Sequence, residues 1–157
     1  MTQQNFNLYT ANGYAGDLVD SGPRVVQTGV LVGSGAGFGV ALKREASIER
    51  GVALGGPAST GKTFALSQRE YNHEAGSRPT DGTDFAYLET ESVSIIRQGY
   101  LYVQIIDAVS VAGAALFVHP TTGELSGTAT GGYVVSTNIF AEEAGVAGDV
   151  IKARIDI

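Results

Sequence analysis

The chain contains no cysteine and no tryptophan, with one methionine and two histidines among 157 residues. Without cysteine there is neither a disulfide framework nor a thiolate metal site. The two histidines, His73 and His119, stand far apart and show no metal-site spacing. Charge is also scarce: 17% of residues are charged against 43% hydrophobic, where soluble domains carry nearer about 25% charged. The charge present is lopsided, with 10 Lys and Arg against 16 Asp and Glu and a formal net charge of −6. An acidic surface repels phosphate backbones, so no nucleic-acid partner is expected. Long hydrophobic runs are missing too. The most apolar stretch, 109–118 (VSVAGAALFV), has about half the length of a membrane span, and the first residues have neither the basic nor the apolar region of a secretory signal. A soluble, unsecreted protein with no membrane partner is the expectation.

Glycine is abundant, with 22 residues spread along the chain, about twice the average usage. Such density breaks helices and populates turns. Between the glycines lie short runs rich in Val, Ile, Thr, Tyr and Phe, at 24–32, 38–42, 85–90, 93–97, 100–106, 114–118, 133–139 and 150–157. Many short strands separated by turn signals imply an all-β fold, an antiparallel jelly-roll-like sandwich or barrel with long Gly-rich loops and little helix. Gln98-Gly99 reads as a two-residue hairpin turn, and Pro120-Thr121-Thr122-Gly123 as a turn with Pro early and Gly late. In the last run Ile151, Ala153, Ile155 and Ile157 alternate with Lys152, Arg154 and Asp156, the pattern of a half-buried strand. Segments 43–50 and 141–144 are the helix candidates, and neither has an apolar stripe. Segments 33–37 and 73–83 read as exposed loops. The expectation is one β domain over 1–157, with 1–12 as an extended arm carrying Phe6, Leu8 and Tyr9.

One motif points elsewhere. Gly56-Pro57-Ala58-Ser59-Thr60-Gly61-Lys62-Thr63 satisfies G-x-x-x-x-G-K-[ST], the loop whose backbone N–H groups wrap phosphates while Lys and Thr serve charge and Mg²⁺. Leu101-Tyr102-Val103-Gln104-Ile105-Ile106-Asp107 imitates an apolar strand ending in a metal-binding Asp. The context opposes the match. Only Val52-Ala53-Leu54 separate Gly51 from Gly55 where a buried strand is required, and Thr63-Phe64-Ala65-Leu66-Ser67-Gln68-Arg69 begins with β-prone residues where a helix is required. Parallel sheets also need crossover helices that this chain does not offer. Gly56, Gly61, Lys62 and Thr63 are therefore read as a chance match in a loop, with no cofactor. Other chemistry is sparse. The carboxylate pairs Glu89 with Glu91, Glu142 with Glu143 and Asp17 with Asp20 read as solvated edges. His119 before Pro120 reads as a turn residue. Asp81-Gly82-Thr83-Asp84 is an incomplete calcium loop. No catalytic set and no metal site is expected.

Tyr14-Ala15-Gly16-Asp17-Leu18-Val19-Asp20 followed by Gly37-Phe38-Gly39-Val40-Ala41 resembles the opening of the structural cement, or capsid decoration, proteins of tailed bacteriophages, and the later segments follow in the same order. Ser94-Ile95-Ile96-Arg97-Gln98-Gly99-Tyr100-Leu101-Tyr102-Val103 is similar to the family's strand, turn and aromatic strand, and 111–118 with Thr121-Thr122-Gly123 to a later segment and turn. Gly132-Tyr133 through 150–155 matches the closing strands in character. Ala114 departs from the pattern, since the family often carries Asp there.

The resemblance implies a non-enzymatic protein on the outer surface of an icosahedral shell, made in the host cytoplasm, clamping neighbouring major capsid subunits. Its partners would be the major capsid protein and copies of itself, a homotrimer first and a dimer second. Low charge suits a surface partly covered by such partners. The interface candidates are Phe6, Leu8, Tyr9, Tyr14 and Leu18. A carbohydrate- or host-binding β module of a virion is the alternative, and a nucleotide hydrolase the last.

Overall fold

A computed structural model describes residues 13–19, 22–69 and 87–157. Among the described residues nine strands follow one another: β1 (Val25–Leu31), β2 (Ala41–Arg44), β3 (Gly51–Leu54), β4 (Ala65–Ser67), β5 (Ser92–Gln104), β6 (Ala115–Val118), β7 (Leu125–Ser126), β8 (Val134–Ala141) and β9 (Val150–Ile155). No helix occurs among the described residues. The all-β expectation is met. The helix candidates are instead the end of β2 with the turn after it, and the end of β8 with the turn after it.

Strand β5, at 13 residues, organises the rest. Its first half pairs with β1 on one edge and β4 on the other. Its second half pairs with β9 on one edge, and the other edge takes the segment at 16–19, where Gly16 and Val19 donate to the carbonyls of Tyr102 and Tyr100. The first half belongs to a ring in which β1 pairs with β3, β3 with β2, β2 with β4, and β4 and β1 with β5, closing a small barrel. Only the β1–β3 pairing of this ring is parallel. The second half opens a sheet in the order β5-β9-β8-β6-β7. That sheet curls back on its start, because Leu125 of β7 bridges Ile105 and accepts the N–H of Ile106.

Gly99 is where one strand serves two sheets. Its φ of 135° lies in territory that side chains avoid, and a Cβ there would stand 3.0 Å from Ile96 Cδ1 and 3.1 Å from the Cβ of Arg24. The expected hairpin at Gln98-Gly99 is thus corrected: the glycine bends the strand without reversing it. Both adjoining runs already have partners on either edge, so β5 has no need to fold back on itself.

Side-chain alternation then builds two cores. Leu31, Leu42, Val52, Ala65, Val93 and Ile95 fill the barrel. Their neighbours Ala41, Leu66 and Ile96 point the other way, against Leu101, Val103, Leu116, Ile139, Ala153 and Ile155 of the curled sheet. Strands β2, β4 and β5 form a wall between the cores, which is why β4 is buried at all three positions. Strands β3, β4 and β7 escape a periodicity search because they are two to four residues long. The turn over 120–123 forms as expected, with Gly123 at a φ of 68°. In β9, Ile151, Ala153 and Ile155 are buried as the alternation requires, while Ile157 lies beyond the sheet and is 58% exposed. Of the loop expected at 33–37, Gly33 to Gly35 are exposed, but Ala36 is buried and bridges Tyr87. The loop expected at 73–83 lies outside the described residues.

Substituting Gly99 by Val should lower unfolding stability by about 1–3 kcal/mol, the usual cost of one strained backbone position. Urea denaturation of the variant beside the wild type measures it.

Candidate functional site

Segment 55–63, which carries the phosphate-loop pattern, leaves β3 and packs against the curled sheet. Gly55 N–H donates to the carbonyl of Ala41 at 3.0 Å, Gly56 to His119 at 3.3 Å and Gly61 to Val135 at 3.4 Å. Thr63 N–H donates to Asn138 Oδ1 at 2.8 Å. A loop that cradles phosphate must keep such donors free, and these four are spent on the protein. A side chain at Gly56 would run into Val118, so close packing on β6 accounts for that glycine. Thr63 is 2% exposed, and its hydroxyl shares a hydrogen bond with Ser136 Oγ at 2.9 Å. Strand β4 follows where the motif requires a helix. Lys62 is exposed.

Thr63, Ser136 and Asn138 make a buried polar cluster. Asn138 Oδ1 accepts from Thr63 N–H and from Ser136 Oγ at 2.9 Å, and Asn138 Nδ2 donates to the carbonyls of Thr63 at 3.0 Å and Asp156 at 2.7 Å. One amide thus ties the 55–63 loop and the end of β9 to β8. The cluster has no sequence signature, because its three members lie up to 75 positions apart.

The other chemistry-bearing residues also serve local structure. Asp107, the imitation metal ligand, accepts from Thr128 Oγ1 at 3.0 Å and Ser126 Oγ at 3.4 Å. His119 Nδ1 accepts the N–H groups of Thr121 and Thr122, at 3.3 and 3.1 Å, within the expected turn. Glu142 pairs with Arg154 at 3.4 Å, Glu143 accepts the N–H of Lys152 at 2.7 Å, and Glu91 accepts the N–H of Leu88 at 2.7 Å. No three His, Asp or Glu residues gather as a metal site among the described residues. Asp81-Gly82-Thr83-Asp84 and His73 lie outside them. Beside His119, Tyr133 donates to Glu124 Oε2 at 3.2 Å. Burial, reinforced by the Glu124 carboxylate, pushes its phenol up to about 12.

Of the interface candidates, Phe6, Leu8 and Tyr9 lie outside the described residues. Tyr14 is 70% exposed, with the Arg69 guanidinium 4.3 Å from its ring centre. Arg69 in turn lies 3.8 Å from Asp17, whose other oxygen accepts the N–H of Tyr14 at 2.9 Å. Leu18 is half-buried, packs on the curled-sheet core and bridges Leu101 of β5. The two candidates therefore differ: Tyr14 offers a free apolar ring face, and Leu18 mainly anchors its segment. Sequence reasoning missed a second exposed apolar group, Ile106, Val111 and Val146, at 42%, 63% and 66% exposure. These flank the ribbon in which Val109 and Gly145 exchange hydrogen bonds at 2.9 and 3.0 Å. Their signal was two Gly-rich loops whose pairing only the fold reveals.

Asn138→Ala orphans the buried Thr63 N–H and should cost at least about 2 kcal/mol, whereas Lys62→Ala should stay within about 0.5 kcal/mol; urea titrations compare them. Because the Tyr133 phenol is raised in the folded chain, its contribution is complete below the unfolded value near pH 10 and drains away as pH climbs towards 12. Tyr133→Phe should flatten that alkaline decline in denaturation measured between pH 9 and 12.

The comparisons agree with this architecture. No curated protein matches the chain. Among solved structures, a chain of the structure titled "The capsid of Myoviridae Phage XM1" shares the fold at a TM-score of 0.68 and 17% identity, over 99% of this chain and 98% of that one. The family model described as "Structural cement protein (E217 gp24/Pam3 gp6)" matches residues 2–156. With nearly its whole length matched, the chain belongs to the phage structural cement protein family.

Proposed function

We propose that this chain is a non-enzymatic cement protein that binds the outer surface of a bacteriophage icosahedral shell and clamps neighbouring major capsid subunits together. The observation that carries the reading is the family match over residues 2–156. The exposed apolar side chains of Tyr14, Val111 and Val146 support it, since apolar groups left in water are natural contact points. The protein acts on the virion surface after synthesis in the host cytoplasm. It works as a homo-oligomer, a trimer before a dimer, because shells present threefold and quasi-threefold positions and oligomers favour closed symmetry. The segment reaching Tyr14 and Leu18, with Phe6, Leu8 and Tyr9 ahead of it, supplies contacts to the shell or to sister subunits.

The mechanism is linkage. A protein that binds the expanded lattice and not its dissociated or immature forms stabilises that lattice by an amount that grows with the logarithm of free protein over its dissociation constant. No bond is made or broken.

Co-sedimentation of the purified protein with immature and expanded shells tests the reading. Saturable binding to expanded shells, at a fixed ratio to capsid subunits, is expected; binding to neither form would overturn it. Tyr14→Ser should weaken binding on the order of tenfold, as loss of one aromatic anchor does, while thermal unfolding changes little because the ring is exposed.

A further inference from the structure

Charge is segregated along the fold. Residues 22–69, which supply four of the five barrel strands, carry six Lys and Arg against two Asp and Glu. Residues 99–157, the second half of β5 and the curled sheet, carry two Lys and Arg against six Asp and Glu. Like charges gathered this way repel within each half, and the segregation has a local focus on both sides.

The basic focus surrounds Phe64. Its ring is shared by two concavities: Arg44 and Arg50 line one, of about 250 Å³, and Lys62 and Arg97 line the other, of about 370 Å³. The Arg97 guanidinium lies 4.6 Å from the Phe64 ring centre, and Arg97 Nε is buried with no hydrogen-bond partner. None of these four cations forms an ion pair among the described residues. Glu49 and Asp156 are the acids at the rims, and Asp156 is already bound to Arg154 at 3.2 Å. The focus is an apolar centre inside a basic rim with unmet hydrogen-bond and charge capacity.

The second focus has the opposite rim. Val111 and Val146 protrude from the loops on either side of the Val109–Gly145 bridge, and Glu143 and Asp149 stand in the same loops. Strand β9 fixes the separation of the two surfaces. It begins at Val150, paired with Gln104 beside the acidic tip, and ends at Ile155, paired with Gly99. The next residues, Asp156 and Ile157, line the Lys62–Arg97 concavity. Six residues of strand are roughly 20 Å, so the two surfaces lie well apart and do not meet within one chain.

We infer that the acidic, valine-bearing tip of one copy docks on the basic face around Phe64 of the next copy, head to tail. The occupant is a second copy of this chain because the chain itself carries the complementary charge and apolar centre. A twofold contact through the basic face would set cations against cations, whereas a heterologous contact pairs each rim with its opposite and propagates to a ring when the rotation closes. The inference rests on the homo-oligomer reading above and gives it an interface.

Two variants separate the surfaces. Arg44→Glu with Lys62→Glu reverses the basic rim at exposed positions, and Val111→Lys with Val146→Lys spoils the tip at exposed positions. Each should keep the wild-type circular dichroism and urea midpoint. Sedimentation velocity should show the wild type associated in 50 mM NaCl and weakened on the order of tenfold at 500 mM, as rim charges are screened. Each variant alone should be monomeric, and mixing the two should restore association, because the intact tip of the first fits the intact basic face of the second. A monomeric wild type, or wild-type association kept by either variant, would overturn the inference. Shell co-sedimentation run in parallel distinguishes the readings: binding without self-association defeats only the head-to-tail contact, and no binding to shells defeats the cement reading itself.

Discussion

Strand β5 is hydrogen-bonded on both edges along both of its halves, and the rest of the fold is arranged to meet that demand. Its first half draws β1 and β4 to it and thereby closes a barrel. Its second half draws β9 and the segment at 16–19, and so starts the curled sheet. Where β5 forms part of the wall between the two cores, neighbouring residues feed separate cores, while Tyr100, Tyr102 and Gln104 keep a partly exposed face in its second half. Ile95 and Ile96 illustrate the wall, being 2% and 0% exposed and belonging to different cores. Gly99 allows the same backbone to change sheets, because only glycine tolerates its dihedral without strain.

This arrangement leaves the loops free to vary and to make contacts. Ladder hydrogen bonds hold the strands between which the described loops run, and Asn138 fastens the loop at 55–63. In the proposed reading, function falls to what the loops present: the Tyr14 ring, the valine-bearing tip and the basic rim around Phe64. For a clamp of the proposed kind, what matters is a framework that holds separate contact surfaces at fixed spacing, and the β5–β9 ladder runs between the tip and the Phe64 face.

Much of the framework was legible in the sequence because β6 and β9 of the curled sheet alternate cleanly. The run from Val150 to Ile155 reads as a half-buried strand without any structure, and the glycine density and the Pro120–Gly123 turn argue for an all-β fold. Less was legible where burial is two-sided. Strand β4 reads as Ala-Leu-Ser, an unremarkable triplet, because both of its faces are covered and no alternation survives. The bend at Gly99 was legible as a special glycine but not as a continuation, since a hairpin and a sheet-changing bend use the same residue. The phosphate-loop pattern arises for a related reason: Gly56, required for close packing on β6, occupies a position that a phosphate loop would use. The exposed valines could not be assigned to one ribbon in sequence, because only the antiparallel Val109–Gly145 bridge sets the 111 and 146 segments side by side.

Electron cryomicroscopy of expanded shells saturated with the protein would show directly whether this β framework bridges subunits on the outside of a shell. Added density is expected on the outer surface, fitted by this fold, with each cluster of copies touching at least two neighbouring major capsid subunits. Density confined to a single subunit, or lying on the inner surface, would contradict that bridging.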